Sequence, residues 1–575
     1  MKISRLLASL SLSLGFGAGC SGSAQIEPSA APSGALASGT SAEITAQDLR
    51  TRLFIVAADS MTGRQVATLG NFKATSYIAN ELERMGVEPA GDDGYFQNLP
   101  LRTRNMVSSG GLTVGEREFA VGEHWVPLPP IAQLAGLPIG STGNIDGVPV
   151  VYGGTMGNPA SFISAAEAAG KLVVLAPAVD ENGNPTFGIA APAFLAWPEA
   201  AGIAMTNFDG LPDGLRNFFM QPETSLSEEA PAESQGALAL FISSEMAERL
   251  LGGAFAGLET GATGTPLSGN FGFEVTAPET PTRNVIGIVR GSDPTLRDQY
   301  VAIGAHSDHV GFNQDPVPHD SIRAFLGVVR PLGAESPNRP PTDEEAFAIR
   351  SELGALRAER PVDRPDSISN GADDDGSGTV TTLELAEAFS SAATKPRRSV
   401  LFVFHNGEEA GLLGARHFTD NPTVPRESIV AQLNMDMIGR GQGSDVEEGG
   451  PGYVQLIGSR RLSTELGDIV ESVNESGNHG FEFDYQYDAN GHPSNFYCRS
   501  DHAMYARYGI PIVFFSTGSH RDYHQITDEP QYIEYGKMAR IGNLIKGIAD
   551  EVLNLDHRVV VDGAVPDNPN APCQQ

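Results

Sequence analysis

Five apolar runs set the strongest limit on how this chain can fold: NVIGIV (284–289), YVAIGA (300–305), SVLFVF (399–404), IVAQLNM (429–435) and PIVFFS (511–516). Each is short and nearly continuous in apolar residues, which is the pattern of strands buried on both faces. Helical patterns lie between them at 378–390, 461–473 and 536–553, and in the second Leu466, Ile469, Val470 and Val473 share one face. Strands alternating with helices specify an α/β class: a mixed, mostly parallel sheet flanked by helices on both faces. In such sheets the chemistry collects at the carboxyl ends of the strands.

The rest of the chain is organised around that block. A length of 575 residues with 40% apolar content allows two or three domains, each with its own core. Thr45, with Asp48 three residues on, reads as a helix start, and a second helix over 72–85 carries Ile78, Leu82 and Met85 before stopping at Gly86. Segment 45–119 has no strands of its own in this reading and packs on the later sheet. From 120 to 275 the texture changes to short strands (Val148 to Tyr152, Leu172 to Leu175, Ala237 to Ile242) with Ala-rich helical pieces and Gly/Pro turns, an inserted α/β domain. The sheet domain proper spans 276–555, interrupted by an insertion at 310–368. There Thr342 and Glu345 resemble a capping box opening a charged helix to Arg357. A lid, a dimer contact and a plain surface excursion are all open readings of that insertion. Residues 556–575 form a tail.

With 71 acidic against 38 basic residues the net charge is −33, which argues against binding nucleic acid or anionic lipid through a basic face. The first twenty residues, MKISRLLASLSLSLGFGAGC, read as an export signal, with an apolar stretch too short to span a bilayer. The ending before Cys20 resembles a lipoprotein cleavage site, with Gly17 where that pattern has an aliphatic residue; ordinary signal cleavage is the alternative. The expected location is the periplasm or outer membrane, with membrane attachment through a lipidated Cys20, or secretion. Residues 21–44 are rich in Ser, Ala, Gly and Pro and read as a flexible tether. Cys498 and Cys573 are the remaining thiols. A disulfide between them is one option, and two cysteines are too few for a thiolate metal site, so any metal must be held by His and carboxylates.

At the end of SVLFVF the chain places Glu408 and Glu409 side by side before a Gly-rich turn, an odd position for two acids unless a cleft needs them. Four further segments put a His or carboxylate after a buried strand or in a Gly-rich turn: AHSDH (305–309), NGADDDGSG (370–378), NMDMIG (434–439) and YHQITDE (523–529). Singly, each can be a surface pair, a solvated turn or a helix cap. Together they supply two His, two terminal carboxylates and one carboxylate able to bridge, a ligand inventory for two divalent ions. Two such metals can hold a hydroxide between them and polarise a carbonyl.

The ordered set HSD, GADDDGSG, HNGEEAGLLGA, LNMDMIG and YHQITDE resembles the co-catalytic di-zinc aminopeptidase family, which includes secreted bacterial leucine aminopeptidases and glutamate carboxypeptidase II. The middle region resembles the protease-associated domain of many members, and residues 75–91 resemble the family's amino-terminal helix. The resemblance implies a zinc exopeptidase fold and two Zn²⁺ per chain. It implies one ion on His306 and Asp436, the other on Glu409 and His524, and Asp374 bridging them. It further implies Glu408 as general base and Tyr523 as an oxyanion donor, with a packed tyrosine as the alternative. Asp308 takes the place of a carboxylate that orients a ligand imidazole, and Asp373 and Asp375 are structural. Asp501 and His502 stay outside the catalytic set, and His309, His405, His417 and His520 occupy positions the family does not use as ligands. The function implied is an exported aminopeptidase acting on peptides. A glutamate-carboxypeptidase-type enzyme is the alternative among hydrolases, and a receptor-like peptide-binding protein with structural zinc the alternative outside them.

Overall fold

The structure, a computed structural model, describes residues 39–575 apart from 109–110, 129–130, 135–136, 140–142, 180–189, 212–218, 221–222, 228–237, 360–363 and 447. The expected signal sequence, Cys20 and most of the expected tether lie outside the described residues.

All five apolar runs become strands of one nine-stranded sheet, with Arg283–Val289, Ser399–His405, Tyr300–His306, Ile429–Met435 and Ile512–Ser516 adjacent in that order. The last four are mutually parallel, whereas Arg283–Val289 runs antiparallel to Ser399–His405. The other flank adds Tyr453–Ile457 and Glu482–Asp484, and two short strands, Glu88–Pro89 and Phe96–Asn98, pair with Arg283–Val289. Alternate side chains face two cores. Val301, Ile303, Phe402 and Phe404 pack with helices Ala46–Val56, Gly378–Ser391 and Tyr535–Asn554, whereas Ala302, Leu401 and Val403 pack with Phe418 and Tyr505. This explains the runs: a strand covered by helices on both faces has no solvent side to mark with polar residues.

The expected N-terminal helices form as Ala46–Val56, where the Thr45 side chain accepts from Asp48 N–H, and Leu69–Arg84. Segment 45–119 is not helical throughout. Leu101–Ser108 and Leu112–Val114 pair with Leu267–Thr276 in a six-stranded sheet of the middle region, so the strands of that region begin near residue 101 rather than 120. Arg102 and Arg104 interrupt the apolar pattern of Leu101–Ser108, which hid the strand. A second, five-stranded sheet holds Val150–Thr155, Leu172–Ala176, Gly202–Met205 and Leu238–Ile242 in parallel, with Trp125–Pro127 antiparallel at its edge.

The 310–368 insertion opens and closes on the paired strands Phe312–Pro318 and Pro365–Ile368 and carries helices His319–Val329 and Asp343–Glu359. The capping box forms as expected: Thr342 Oγ1 accepts from Glu345 N–H at 3.3 Å and Glu345 Oε2 accepts from Thr342 N–H at 2.8 Å. Cys498 and Cys573 are joined in a disulfide. It ties the tail to segment 487–498, where the C-terminal Gln575 also accepts from Gly491 and Tyr497 N–H groups.

Candidate metal and catalytic site

Parallel strands deliver the polar residues to one end of the sheet. His306 is the last residue of Tyr300–His306, Glu408 and Glu409 follow Ser399–His405, Asp436 follows Ile429–Met435, and His524 lies in the loop after Ile512–Ser516. Asp374 comes from the turn Ala372–Ser377 that opens helix Gly378–Ser391. Met437 and His524 hold left-handed φ angles of 61° and 55°, an uncommon conformation for non-glycine residues and one that clusters where packing over-determines the backbone.

Asp374 is the hub. Its Oδ1 lies 3.2 Å from His306 Nε2, which is itself 3.7 Å from Asp436 Oδ1. Its Oδ2 lies 3.0 Å from His524 Nε2, which is 2.9 Å from Glu409 Oε2. One carboxylate therefore faces two separate His–carboxylate pairs. All five residues expected as ligands converge in this arrangement.

Several of these atoms are buried without a hydrogen-bond partner among the described residues: both nitrogens of His306, Nε2 of His309 and Oδ2 of Asp374. Lone pairs aimed at one another in a desolvated pocket cost energy unless a cation lies between them. With protons alone, the imidazoles must supply the balancing charge. Burial disfavours charge on His524, but Glu409 and Asp374 outweigh it and push its pKa up to about 11. His306 is likewise raised well above the ordinary range, Asp436 first among the groups that overcome its burial. Burial, then the neighbouring Asp436 and Glu409, drives the Glu408 carboxyl well above the usual carboxylate range, with His306 opposing. So many acids around so few imidazoles fit divalent cations better than protons, and oxygen and imidazole donors suit zinc.

The supporting contacts show why the turn holds its shape. Asp528 accepts the N–H groups of Asp373, at 3.0 Å, and of Asp374, at 3.1 Å. Asp373 accepts from Gly439 N–H at 2.6 Å and lies 3.0 Å from His520 Nε2. Asp375 accepts from the N–H groups of His306, Gly378 and Met437, tying three site segments together. The fully buried Arg64 donates to the carbonyls of Ser307, Asn370 and Gly371 and so links two ligand loops.

Two residues depart from the sequence reading. Asp308 does not hydrogen-bond His306: its Oδ1 is 3.7 Å from Nδ1. It accepts instead from the backbone N–H groups of Gly407 at 2.8 Å, Glu408 at 3.2 Å and Glu409 at 3.3 Å, so it holds the two-glutamate turn. A short carboxylate beside three converging donors is better satisfied there than by one distant imidazole. His309, set aside as a non-ligand, is brought into the cluster: its Nδ1 is 2.8 Å from Glu409 Oε1 and 3.8 Å from Asp374 Oδ2. It packs against Gly371, whose φ is +58° and where a Cβ would come within 2.5 Å of the His309 ring. The repeat of His at both ends of HSDH was the signal available for it. His405 is a core residue, 2.9 Å from Tyr505 Oη and 3.3 Å from the buried Asp501, and His502 is buried against Phe514.

Tyr523 lines the pocket above the cluster together with Glu408, Asp436, Phe496, Arg499 and Phe514. Arg499 Nη2 donates to its hydroxyl at 3.3 Å.

Residues 284–549 match the sequence profile of Peptidase family M28. Leucine aminopeptidase 1 of Aspergillus fumigatus is 30% identical over 193 residues, covering 32% of this chain and 46% of that protein. Leupeptin-inactivating enzyme 1 of Streptomyces exfoliatus is 28% identical over 169 residues, covering 29% of this chain and 33% of its own length. The matched stretch thus spans less than half of either relative. Among solved structures, a zinc aminopeptidase from Bacillus subtilis superposes with a TM-score of 0.46 at 15% identity, covering 92% of this chain and 99% of that one.

Proposed function

We propose, from the match of residues 284–549 to Peptidase family M28 and from the geometry of the site, that the chain is a zinc-dependent aminopeptidase that removes amino-terminal residues from peptides. The observation that carries this reading is the junction at Asp374, one carboxylate set between a His306–Asp436 pair and a His524–Glu409 pair. His306 and Asp436, His524 and Glu409, with Asp374 between the pairs, would hold two zinc ions, which when bound would supply Lewis acidity.

The protein's own groups do the rest. Glu408 lines the pocket beside both pairs and has no ligand partner, so it takes a proton from the attacking water and passes it to the departing amine. Tyr523 directs its hydroxyl into the same pocket, where it donates to the carbonyl oxygen as negative charge develops. Asp308 keeps Glu408 and Glu409 in register by gripping their backbone. His309 donates Nδ1–H to Glu409 and steadies the carboxylate that faces His524.

The pocket wall argues against a carboxylate as the anchored terminus, because its lining arginine, Arg499, is already paired with Glu335 at 2.5 Å. The carboxypeptidase reading needs Arg499 to exchange that partner for a substrate carboxylate. The Cys498–Cys573 disulfide supports export to an oxidising compartment, in keeping with the signal sequence and the lipid anchor proposed at Cys20. The role proposed for the middle region is that of a protease-associated domain beside the cleft.

The test is a panel of free-amine, amine-blocked and carboxyl-terminal reporter peptides, with and without chelator. Chelator-sensitive cleavage of free-amine peptides alone is expected. Cleavage confined to carboxyl-terminal reporters selects the carboxypeptidase. Binding without turnover selects the receptor-like alternative.

A further inference from the structure

The 310–368 insertion does not stand away from the site. Its turn Gly333–Glu335 presses on the loop that carries Tyr523 and His524. Gly333 has φ +55°, and a Cβ there would come within 2.5 Å of Tyr523 O and 2.8 Å of His520 O, so both conformation and space require glycine. Ala334 N–H donates to Tyr523 O at 3.1 Å. Further along, Arg323 pairs with Asp522 and Glu352 with Arg521, each at 2.8 Å. The His319–Asp366–Glu529 group beside these contacts is no metal site: the Arg364 guanidinium donates to Glu529 and lies 2.7 Å from His319 Nε2, where a cation would go.

From this turn one side chain reaches the pocket wall. Glu335 Oε1 accepts from Arg499 Nη1 at 2.5 Å, and its Oε2 accepts from Ser519 Oγ at 3.0 Å. Arg499 in turn donates to the Tyr523 hydroxyl. Arg499, Ser519 and Tyr523 all line the pocket with Glu408.

We propose that Glu335, supplied by the insertion, is a positioning residue of the site: it fixes Arg499 so that the guanidinium donates to Tyr523. A phenol oxygen that accepts from arginine keeps its own O–H free to donate to an acceptor in the pocket. An unheld arginine on the rim samples many rotamers and makes this contact only part of the time. The insertion thereby governs turnover, through a residue 164 positions before the arginine it holds. The consequence for turnover rests on the peptidase reading; the positioning does not.

The experiment uses the full chain loaded with zinc. Glu335→Ala and Glu335→Gln are made alone and in a Tyr523→Phe background, and kcat and KM are measured on a free-amine peptide. Removing one oxyanion donor costs about 10²–10³-fold in kcat, so a donor left misaligned part of the time predicts a loss of about tenfold for Glu335→Ala. KM should move far less, and Glu335→Gln should recover part of the loss. In the Tyr523→Phe background the same substitution should have little further effect. An equal loss in both backgrounds, or no loss in either, overturns the proposal. A crystal structure of Glu335→Ala supplies a readout free of activity: Arg499 should leave the Tyr523 hydroxyl, and a guanidinium still seated there refutes the positioning role. Should the wild type cleave no free-amine peptide, the peptidase reading fails, while the crystal structure still decides the role of Glu335.

Discussion

Asp308 offers the sharpest test of the site, because the structure gives it a different partner from the one its sequence position implied. Removing the carboxylate with Asp308→Ala strands three backbone N–H groups, those of Gly407, Glu408 and Glu409. Leaving a buried donor unpaired costs about 1–3 kcal/mol. The 2.8 Å bond to buried Gly407 belongs near the middle of that range. The longer, partly buried bonds at 3.2 and 3.3 Å belong at its low end. The total is about 4 kcal/mol, reduced by whatever the turn recovers from water. Asp308→Asn is the more informative change. Its amide oxygen can serve Gly407 and Glu408, but its NH₂ then opposes the N–H of Glu409, and the cost is about 2 kcal/mol. Glu409 should shift, since among the described residues its carboxylate is held by side chains alone, 2.8 Å from His309 and 2.9 Å from His524. Urea unfolding measures the stability loss, and elemental analysis after dialysis measures zinc. The Asn variant should keep the ion assigned to His306 and Asp436 and lose the one assigned to His524 and Glu409. Loss of the His306 ion with unchanged stability would refute this and return Asp308 to orienting the imidazole.

Three other outcomes are expected. Glu408→Gln should retain zinc and fold yet lose about 10²–10⁴-fold in kcat, whereas Glu409→Gln should lose zinc; full activity in the Glu408 variant removes it from the mechanism. Arg52 and Arg84 face three acids, Glu81, Glu384 and Glu387, so a shared proton would balance the charges of the cluster. Burial raises Glu384 from 4.5 to about 7 against the pull of Arg52. A raised carboxyl contributes stability fully below about pH 4.5 and loses it as pH climbs through about 7. Glu384→Gln should therefore match the wild type near pH 4.5 in urea unfolding and exceed it by up to about 3 kcal/mol near pH 7.5; parallel pH profiles would contradict the shared proton. Reducing the disulfide, whose cysteines lie 75 residues apart, should lower stability by up to about 4 kcal/mol from released loop entropy. An unchanged urea midpoint under reductant would show that the tail makes no contribution.

Much of this protein was determined by its sequence alone, because the relevant signals are local. A strand buried on both faces needs an unbroken apolar run, and a helix start needs Thr45 or Thr342 at the right spacing, so both can be found without knowing any distant contact. The polar segments at the strand ends were legible for the same reason, since parallel strands bring such ends together, whereas the choice of His306, Glu409 and Asp436 within them as ligands came from the resemblance to the di-zinc aminopeptidases. Tertiary structure decided what depends on neighbours remote in the chain. The sheet places Ser399–His405 between Arg283–Val289 and Tyr300–His306, and that order sets Asp308 under the backbone of Glu408. Tertiary packing also turns His309 toward Glu409, 100 residues away, and in the separate six-stranded sheet it pairs Leu101–Ser108 with Leu267–Thr276 despite the arginines in the former. Glu335 bore no sequence signal at all, since an acid in a surface turn acquires its role only when folding sets an arginine 2.5 Å from it. Local periodicity specifies elements and the residues at their ends; which of those residues touch is set by packing, which no local pattern encodes.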